Sequence, residues 1–269
     1  MSESKPLSGR TALVTGASRG VGAAIAQALA SLGATIVATY RTDRDAADDL
    51  VTQLTSEYGV VAHAVPFDLT APPEDQSGAD GLLDAVARLA DNVDVLVVNA
   101  AAPYPQAPLR ELSAQQLVQK VSYDLGATHR LVTALAPGMV NRGWGRVVFI
   151  GSLHRDGPTA PGMTASGVSK AALDTYASYA VDELTGPGVT INTIHPGYLA
   201  TEASRHLPPT VPALIQALTP AQRTGEPRDV AGVLALLVRD EAAFINGASI
   251  PVAGGLNHPV ALRRVMAAM

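Results

Sequence analysis

Cysteine is absent from the 269 residues. No disulfide framework, cysteine-ligated zinc or thiol nucleophile is therefore available. Charged residues make up only 16% of the chain, with a net charge of −5. A duplex-binding protein needs a basic face, so no nucleic acid is expected as a partner. No apolar run reaches membrane-spanning length, and the polar start Met1–Lys5 is unlike a secretory leader. The expectation is a cytoplasmic chain with no membrane partner. Six histidines show no metal-ligand spacing, so no metal is expected, and Ser152 lacks a Gly-x-Ser-x-Gly elbow, which argues against a hydrolase. Lysine is scarce too, occurring only at Lys5, Lys120 and Lys170 among mostly arginine. An interior lysine in such a chain marks a place where a guanidinium does not serve.

What is present is apolar: 47% of residues are hydrophobic, enough for a core. Short Val/Ile/Ala-rich strands are read at Thr11–Thr15, Thr35–Tyr40, Val60–Phe67, Val93–Asn99, Gly145–Gly151, Val189–His195 and Ala248–Val252. Helical patterns lie between them at Val21–Leu32, Arg44–Tyr58, Gly81–Ala90, Ala114–Tyr123, Leu125–Met139, Ser166–Leu184 and Arg228–Arg239. This alternation implies an α/β fold, a Rossmann-type doubly wound parallel sheet with helices on both faces. Nothing divides the chain, so residues 1–269 read as one domain. A polar loop spans Ala71–Ala79. The proline-rich stretch Thr201–Pro220 sets Val211, Leu214, Ile215 and Leu218 at helical spacing, as ordinary packing or as a flap over a site. The tail Val260–Met269 reads as an oligomer contact.

The first strand runs into Thr15-Gly16-Ala17-Ser18-Arg19-Gly20-Val21-Gly22, which opens the first helix. Gly16 permits a tight turn, and Gly20 and Gly22 allow close backbone approach to a pyrophosphate at the helix N-terminus. The second strand ends Thr39-Tyr40-Arg41 with no acid before Asp43. An acid there would bind a ribose 2′-hydroxyl; Arg19 and Arg41 instead suit a 2′-phosphate, with Ser18 or Thr39 adding a hydroxyl. The expected cofactor is NADP(H).

These segments resemble the short-chain dehydrogenase/reductase family, in its ketoacyl-carrier-protein-reductase-like branch, from about Gly9 to Leu256. Thr15–Gly22 is similar to its glycine motif. Asp68, followed by Leu69, looks like its adenine-contacting acid. Asn99-Ala100-Ala101 resembles its Asn-Asn-Ala-Gly segment, with Val98 and Ala101 replacing the first Asn and the Gly. Ser152, after Ile150-Gly151, looks like the catalytic serine. Pro196-Gly197-Tyr198-Leu199-Ala200-Thr201 resembles the segment that holds the nicotinamide carboxamide. The resemblance implies seven strands in the order 3-2-1-4-5-6-7, a small-molecule substrate, and a homodimer or homotetramer.

The family's Tyr-x-x-x-Lys motif reads here Ser166-Gly167-Val168-Ser169-Lys170. The lysine matches, binding ribose by resemblance, and the tyrosine position is Ser166, on the same helix face. An aliphatic hydroxyl is a far weaker acid than a phenol, by roughly 8 kcal/mol in proton affinity, a gap that a neighbouring lysine does not close. The shorter side chain is expected to leave a hole beside the nicotinamide. Asp124 stands where the family often has an asparagine that holds a water, and with Ser152 and Lys170 it is expected to form a polar cluster. Replacement proton donors are His154, Tyr104, Tyr198 and His195, or a water or the substrate itself. Three readings stay open: an NADPH-dependent reductase of a carbonyl, iminium or quinone-like acceptor, such as one of secondary metabolism, with a non-standard proton route; a non-catalytic NADP(H)-binding regulatory or structural protein; and a non-redox cyclase, dehydratase or isomerase using Asp124, Ser152 and His154 as acid and base.

Overall fold

The computed structural model describes residues 5–157, 161–204 and 207–257. Seven strands form one parallel sheet in the order β3-β2-β1-β4-β5-β6-β7, as the resemblance implied. They are β1 (Thr11–Val14), β2 (Thr35–Tyr40), β3 (Ala62–Pro66), β4 (Val95–Val98), β5 (Gly145–Ile150), β6 (Val189–Pro196) and β7 (Ser249–Val252). The central strands are apolar at almost every position because helices cover both faces. Side chains alternate between two cores with the strand period of two. Ala12, Val14, Val95, Val97, Val148 and Ile150 point to one face. Leu13, Leu96, Val98, Val147 and Phe149 point to the other.

Helices α1 (Gly20–Ser31), α2 (Arg44–Tyr58) and α7 (Pro227–Leu237) cover the first face through Ile25, Leu29, Leu54 and Leu234. Helices α3 (Ala79–Leu89), α4 (Ala114–Arg142) and α5 (Thr164–Leu184) cover the second through Leu82, Leu131, Val132 and Leu173. The sheet's N-terminal end is closed by Trp144, whose ring lies between the Arg10 and Arg146 guanidinium groups at 4.2 and 4.4 Å. The opposite, C-terminal end of the sheet carries the loops that build the site, as in open α/β sheets generally.

Two expectations need correction. The patterns Ala114–Tyr123 and Leu125–Met139 are one helix, α4, of 29 residues. It opens on a Ser113/Gln116 capping box, closes on Gly143 at φ 67°, and runs through both Asp124 and Pro137. The apolar set in 201–220 does form a helix, α6 (Thr210–Leu218), but none of its residues is buried and Leu214 is well exposed. Ordinary core packing therefore does not explain that set. The tail Val260–Met269, His206 and His258 lie outside the described residues. Among the described residues no helix is long and apolar enough to cross a membrane, and no cluster of His, Asp and Glu could hold a metal.

Candidate active site

The glycine-rich turn is fixed by hydrogen bonds that leave its helix end open. Gly16 and Gly20 adopt φ of 65° and 59°, a region that favours glycine. At Gly22 the constraint is space: a Cβ would stand 2.2 Å from the Gly16 carbonyl oxygen. The Asn99 amide donates to the carbonyls of both Thr15 and Gly16 at 2.9 Å, tying the end of β4 to the turn. Thr15 Oγ1 accepts from the backbone N–H groups of Asn99 and Ala100. Arg19 precedes α1 without a side-chain cap, and no acid occupies the first turn. The first N–H groups of α1 therefore face the groove with the positive end of the helix dipole.

A groove of about 630 Å³ opens in front of that turn. Of the expected cofactor residues it is lined by Gly16, Ser18, Arg19, Gly20 and Val21, by Arg41, by Asp68 and Leu69, and by Asn99, Ala100, Ala101 and Thr201. Asp43 also lines it; its carboxylate caps α2 by accepting from Ala46 N–H and lies 3.9 Å from Arg19. The one acid near the end of β2 is thus already engaged, while the Arg19 side chain is 62% exposed. Thr39 is corrected: it is fully buried, and its Oγ1 accepts from Gly16 N–H, so it is not directed at a ligand. Tyr40 closes β2 opposite Pro66 outside the groove lining, and Gly22 supports the turn from behind. Thr42, Phe67, Ala102, Pro103 and Glu202 line the groove without having been expected. No spacing rule identifies them, because they lie one or two positions beyond the motifs.

The Pro196–Thr201 segment is held in place by backbone pairing. Gly197 N–H donates to Val252 O, Leu199 bridges Gly225, and Ala200 N–H donates to Gly225 O. Thr201 N–H donates to Ser204 Oγ. The segment thereby brings Thr201 to the groove that Ala100 and Ala101 also line.

At the end of β5, Ser152 caps a 3-10 turn, Leu153–Asp156, by accepting from His154 N–H at 3.2 Å. Its own hydroxyl proton stays free for another acceptor. Lys170 Nζ donates to Ile150 O at 2.7 Å, two residues before Ser152, so α5 brings the lysine to the serine's strand end. Burial pushes the Lys170 ammonium down to about 8, with Asp124 opposing the shift and Lys120 adding to it. Ser166 shares the Lys170 face of α5 and is 8% exposed.

Asp124 does not join Ser152 and Lys170 by hydrogen bonds. Its Oδ1 accepts from Ala102 N–H at 2.8 Å; its Oδ2 accepts from Ser169 Oγ at 2.5 Å and pairs with Lys120 Nζ at 2.7 Å. Lys120 is 2% exposed, donates to Ala102 O at 2.6 Å, and lies 5.2 Å from the centre of the Tyr104 ring. The i,i+4 pair therefore clamps both backbone polar groups of Ala102, on the loop after β4. Lys120 was legible as a rare interior lysine four residues before an acid, but its partner was not inferred.

The four candidate donors are sorted by their surroundings. His154 sits beside a cavity of about 280 Å³ lined also by Met163, Thr164 and Gly167. Burial, then the Lys170 charge, hold its pKa below the ordinary histidine value, which disfavours the imidazolium that a proton donor would need. His195 is fully buried, with Nε2 engaged by Asp174 and Ser249. Tyr198 faces cavities beside α6 and α7. Tyr104 Oη lies 3.1 Å from Met163 Sδ, just ahead of α5.

The chain as a whole has relatives of known sequence and structure. Residues 16–257 match the family model described as enoyl-(acyl carrier protein) reductase. The chain is 32% identical over 250 residues to 3-oxoacyl-[acyl-carrier-protein] reductase FabG of Pseudomonas aeruginosa, covering 93% of this chain and 98% of that one. This chain belongs to the short-chain dehydrogenase/reductase family. Among solved structures, a 3-oxoacyl (acyl-carrier-protein) reductase from Agrobacterium tumefaciens C58 with NADP bound superposes with a TM-score of 0.83 at 31% identity, covering 93% of this chain and 95% of that one. A short chain dehydrogenase from Burkholderia cenocepacia J2315 in complex with NADP gives 0.82 at 30% identity, with 94% and 99% covered. The match accounts for the strand order.

Proposed function

We propose that the chain is an NADPH-dependent reductase of a carbonyl, iminium or quinone-like small molecule, working without a phenol at position 166. The observation that carries this reading is the groove itself. An uncapped helix N-terminus faces it, Arg19 and Arg41 flank it, and the nearby acid is engaged in capping α2. These residues fit a dinucleotide with a 2′-phosphate: backbone N–H groups of the Gly16–Val21 turn for the pyrophosphate, guanidinium forks for the extra phosphate, Asp68 and Leu69 at the adenine end. Lys170, Asn99 and the Pro196, Gly197, Leu199 and Thr201 segment serve the nicotinamide end. Bound there, the dihydronicotinamide supplies a hydride to the acceptor. Two NADP-bound structures among those superposed support the assignment.

This cofactor reading makes a direct prediction. NADPH binds the cofactor-stripped protein at least ~10-fold more tightly than NADH by calorimetry, and Arg41→Ala weakens NADPH by about 10-fold or more while leaving NADH within twofold. The charge-assisted bonds lost with a guanidinium, ~1.5–3 kcal/mol each, set that scale. Equal loss for both cofactors would assign Arg41 to general stability of the loop instead.

For the chemistry, Ser152 presents a hydroxyl whose oxygen already accepts from His154 N–H, so its proton is directed to the substrate oxygen. The proton that completes the reduction comes from Tyr104 in this reading. Its phenol is the acid whose loop is clamped by Lys120 and Asp124 and whose hydroxyl rests on Met163, three residues before Ser166. Tyr104→Phe lowers kcat for a simple ketone about 10²-fold, the usual scale for one general acid, and leaves NADPH affinity unchanged. For an iminium acceptor, which needs no proton, the same substitution has little effect on kcat. Equal losses for ketone and iminium would remove Tyr104 as the donor.

One observation favours the non-catalytic alternative, the serine in place of a tyrosine at position 166, and it predicts tight NADPH binding with no acceptor reduced. The non-redox alternative is weakened at Asp124 of its Asp124, Ser152 and His154 set, because both Asp124 oxygens are engaged by Ala102, Ser169 and Lys120. Association into a homodimer or homotetramer remains part of the proposal, with sedimentation as its test.

A further inference from the structure

A second polar network lies behind the turn that carries Ser152, and the mechanism above does not use it. Arg155, in the 3-10 turn, forms an ion pair with Asp174 of α5 and donates to Ser249 Oγ of β7 at 2.6 Å. Asp174 Oδ1 lies 3.1 Å from His195 Nε2, and Ser249 Oγ lies 2.9 Å from the same nitrogen. Both groups meet one ring nitrogen, so the Ser, His and Asp do not form a relay of the hydrolase type, in which the acid would hold the other nitrogen. The His195 ring is packed against Gly151, where a Cβ would stand 2.3 Å from Nδ1. Four residues from the turn, α5, β6 and β7 thus converge next to the residue that precedes Ser152.

We infer that Arg155 is a positioning residue: its anchorage to Asp174, Ser249 and, through them, His195 holds the 153–156 turn and so fixes the direction of the Ser152 hydroxyl. This rests on the reductase reading for the role of Ser152. The geometry supports it in two ways. Both bonds that define the turn's start return to Ser152: His154 N–H donates to its Oγ and Arg155 N–H to its carbonyl. The turn has few apolar anchors of its own, since only Leu153 in it is buried. Without the Arg155 anchor the turn loses its polar ties to Asp174 of α5 and Ser249 of β7, and a rotating Ser152 Oγ loses the orientation on which near-attack geometry depends.

The charges around His195 are Arg155 from the turn and Asp174 from α5, with Asp156 pairing to Arg155 at 3.1 Å. Burial and the Arg155 guanidinium hold the His195 pKa below its usual value, and Asp174 opposes them. Removing either partner therefore moves the imidazole in opposite directions, which a merely space-filling role does not predict.

The test uses the full-length protein. Arg155→Gln is expected to lower kcat for carbonyl reduction at least 10-fold while leaving the NADPH dissociation constant within twofold, and Arg155→Lys recovers part of the loss. Amide hydrogen exchange at residues 153–157 speeds up at least 10-fold, with β5 and β6 amides unchanged. In NMR titrations, with His195→Gln assigning the signal, the His195 pKa rises in Arg155→Gln and falls in Asp174→Asn. Should Arg155→Gln fail to fold, Ser249→Ala on the edge strand cuts one anchor and is read by the same exchange and titration. Unchanged exchange in a folded variant overturns the inference. So does faster exchange with unchanged kcat, because the anchor then does not serve Ser152. If the wild-type protein binds NADPH but reduces no acceptor, the functional reading fails, and exchange together with titration decides whether the anchor exists.

Discussion

Lys170→Met should weaken NADPH binding by ~10–100-fold and lower turnover by about 100-fold or more, without lowering thermal stability at pH 7. The reasoning starts from the ammonium's three donors. One is spent on Ile150 O, leaving two for hydroxyls of a bound ribose or substrate, and charge-assisted bonds of that kind are worth ~1.5–3 kcal/mol each. Burial has lowered this pKa to about 8, against ~10.4 for an unfolded lysine. Between those values the unfolded chain holds the proton and the folded chain does not, so this residue's contribution to stability rises with pH across that window. Below it the folded protein carries a charge that burial disfavours. The functional trend runs the other way: the donor is present below pH 8 and lost above it. Calorimetry from pH 6 to 9.5 should show NADPH affinity falling on the alkaline side in the wild type and flat in Lys170→Met. An unchanged dissociation constant in the variant, or the same alkaline fall, would exclude Lys170 from the cofactor site. A residue that costs stability and is needed for binding is what a functional site is expected to contain.

The fold was legible because it rests on repeated, short-range rules. Alternating apolar strands and amphipathic helices state the layer order, and the glycine positions around Gly16 state where a backbone must turn or come close. The groove was legible for the same reason: Gly16 to Val21, Arg41, Asp68 and Asn99 to Ala101 lie at strand ends, and strand ends meet at one edge of a parallel sheet. What escaped was decided by long-range side-chain pairing. Thr39 looked like a ligand donor, yet tertiary contact turned its hydroxyl onto Gly16 N–H. In α4, Asp124 interrupts the apolar spacing between the patterns Ala114–Tyr123 and Leu125–Met139. Its partner lies one turn earlier, at Lys120, so the helix continues. The Arg155, Asp174, His195 and Ser249 network spans 94 residues from Arg155 to Ser249, and no local pattern announces it.

Lys120→Met should be the most destabilising single substitution considered, at about 3–5 kcal/mol, because it strands the Asp124 carboxylate in the interior. The two side chains are 2% and 6% exposed, so water cannot take the place of the lost ammonium. For a chain of this size that corresponds to a fall of roughly 6–20 °C in the thermal midpoint. The decisive comparison is the double variant Lys120→Met with Asp124→Asn. The amide oxygen still accepts from Ala102 N–H, the charge is gone, and at least half of the lost stability should return. Additive losses in the double variant would mean that the two groups act independently and that the pair is not the clamp described here. The comparison also separates stability from function. The neutral double variant refolds α4 against the loop after β4, but Ala102 O has lost its Lys120 donor and the Tyr104 ring has lost the ammonium beside it. Ketone reduction should therefore stay low in a protein that is stable again, whereas NADPH binding, which depends on Asn99 and the glycine-rich turn, should recover with the fold. On that outcome the charge at this buried position serves to hold Tyr104 in place, since a neutral pair of similar volume restores much of the stability without it.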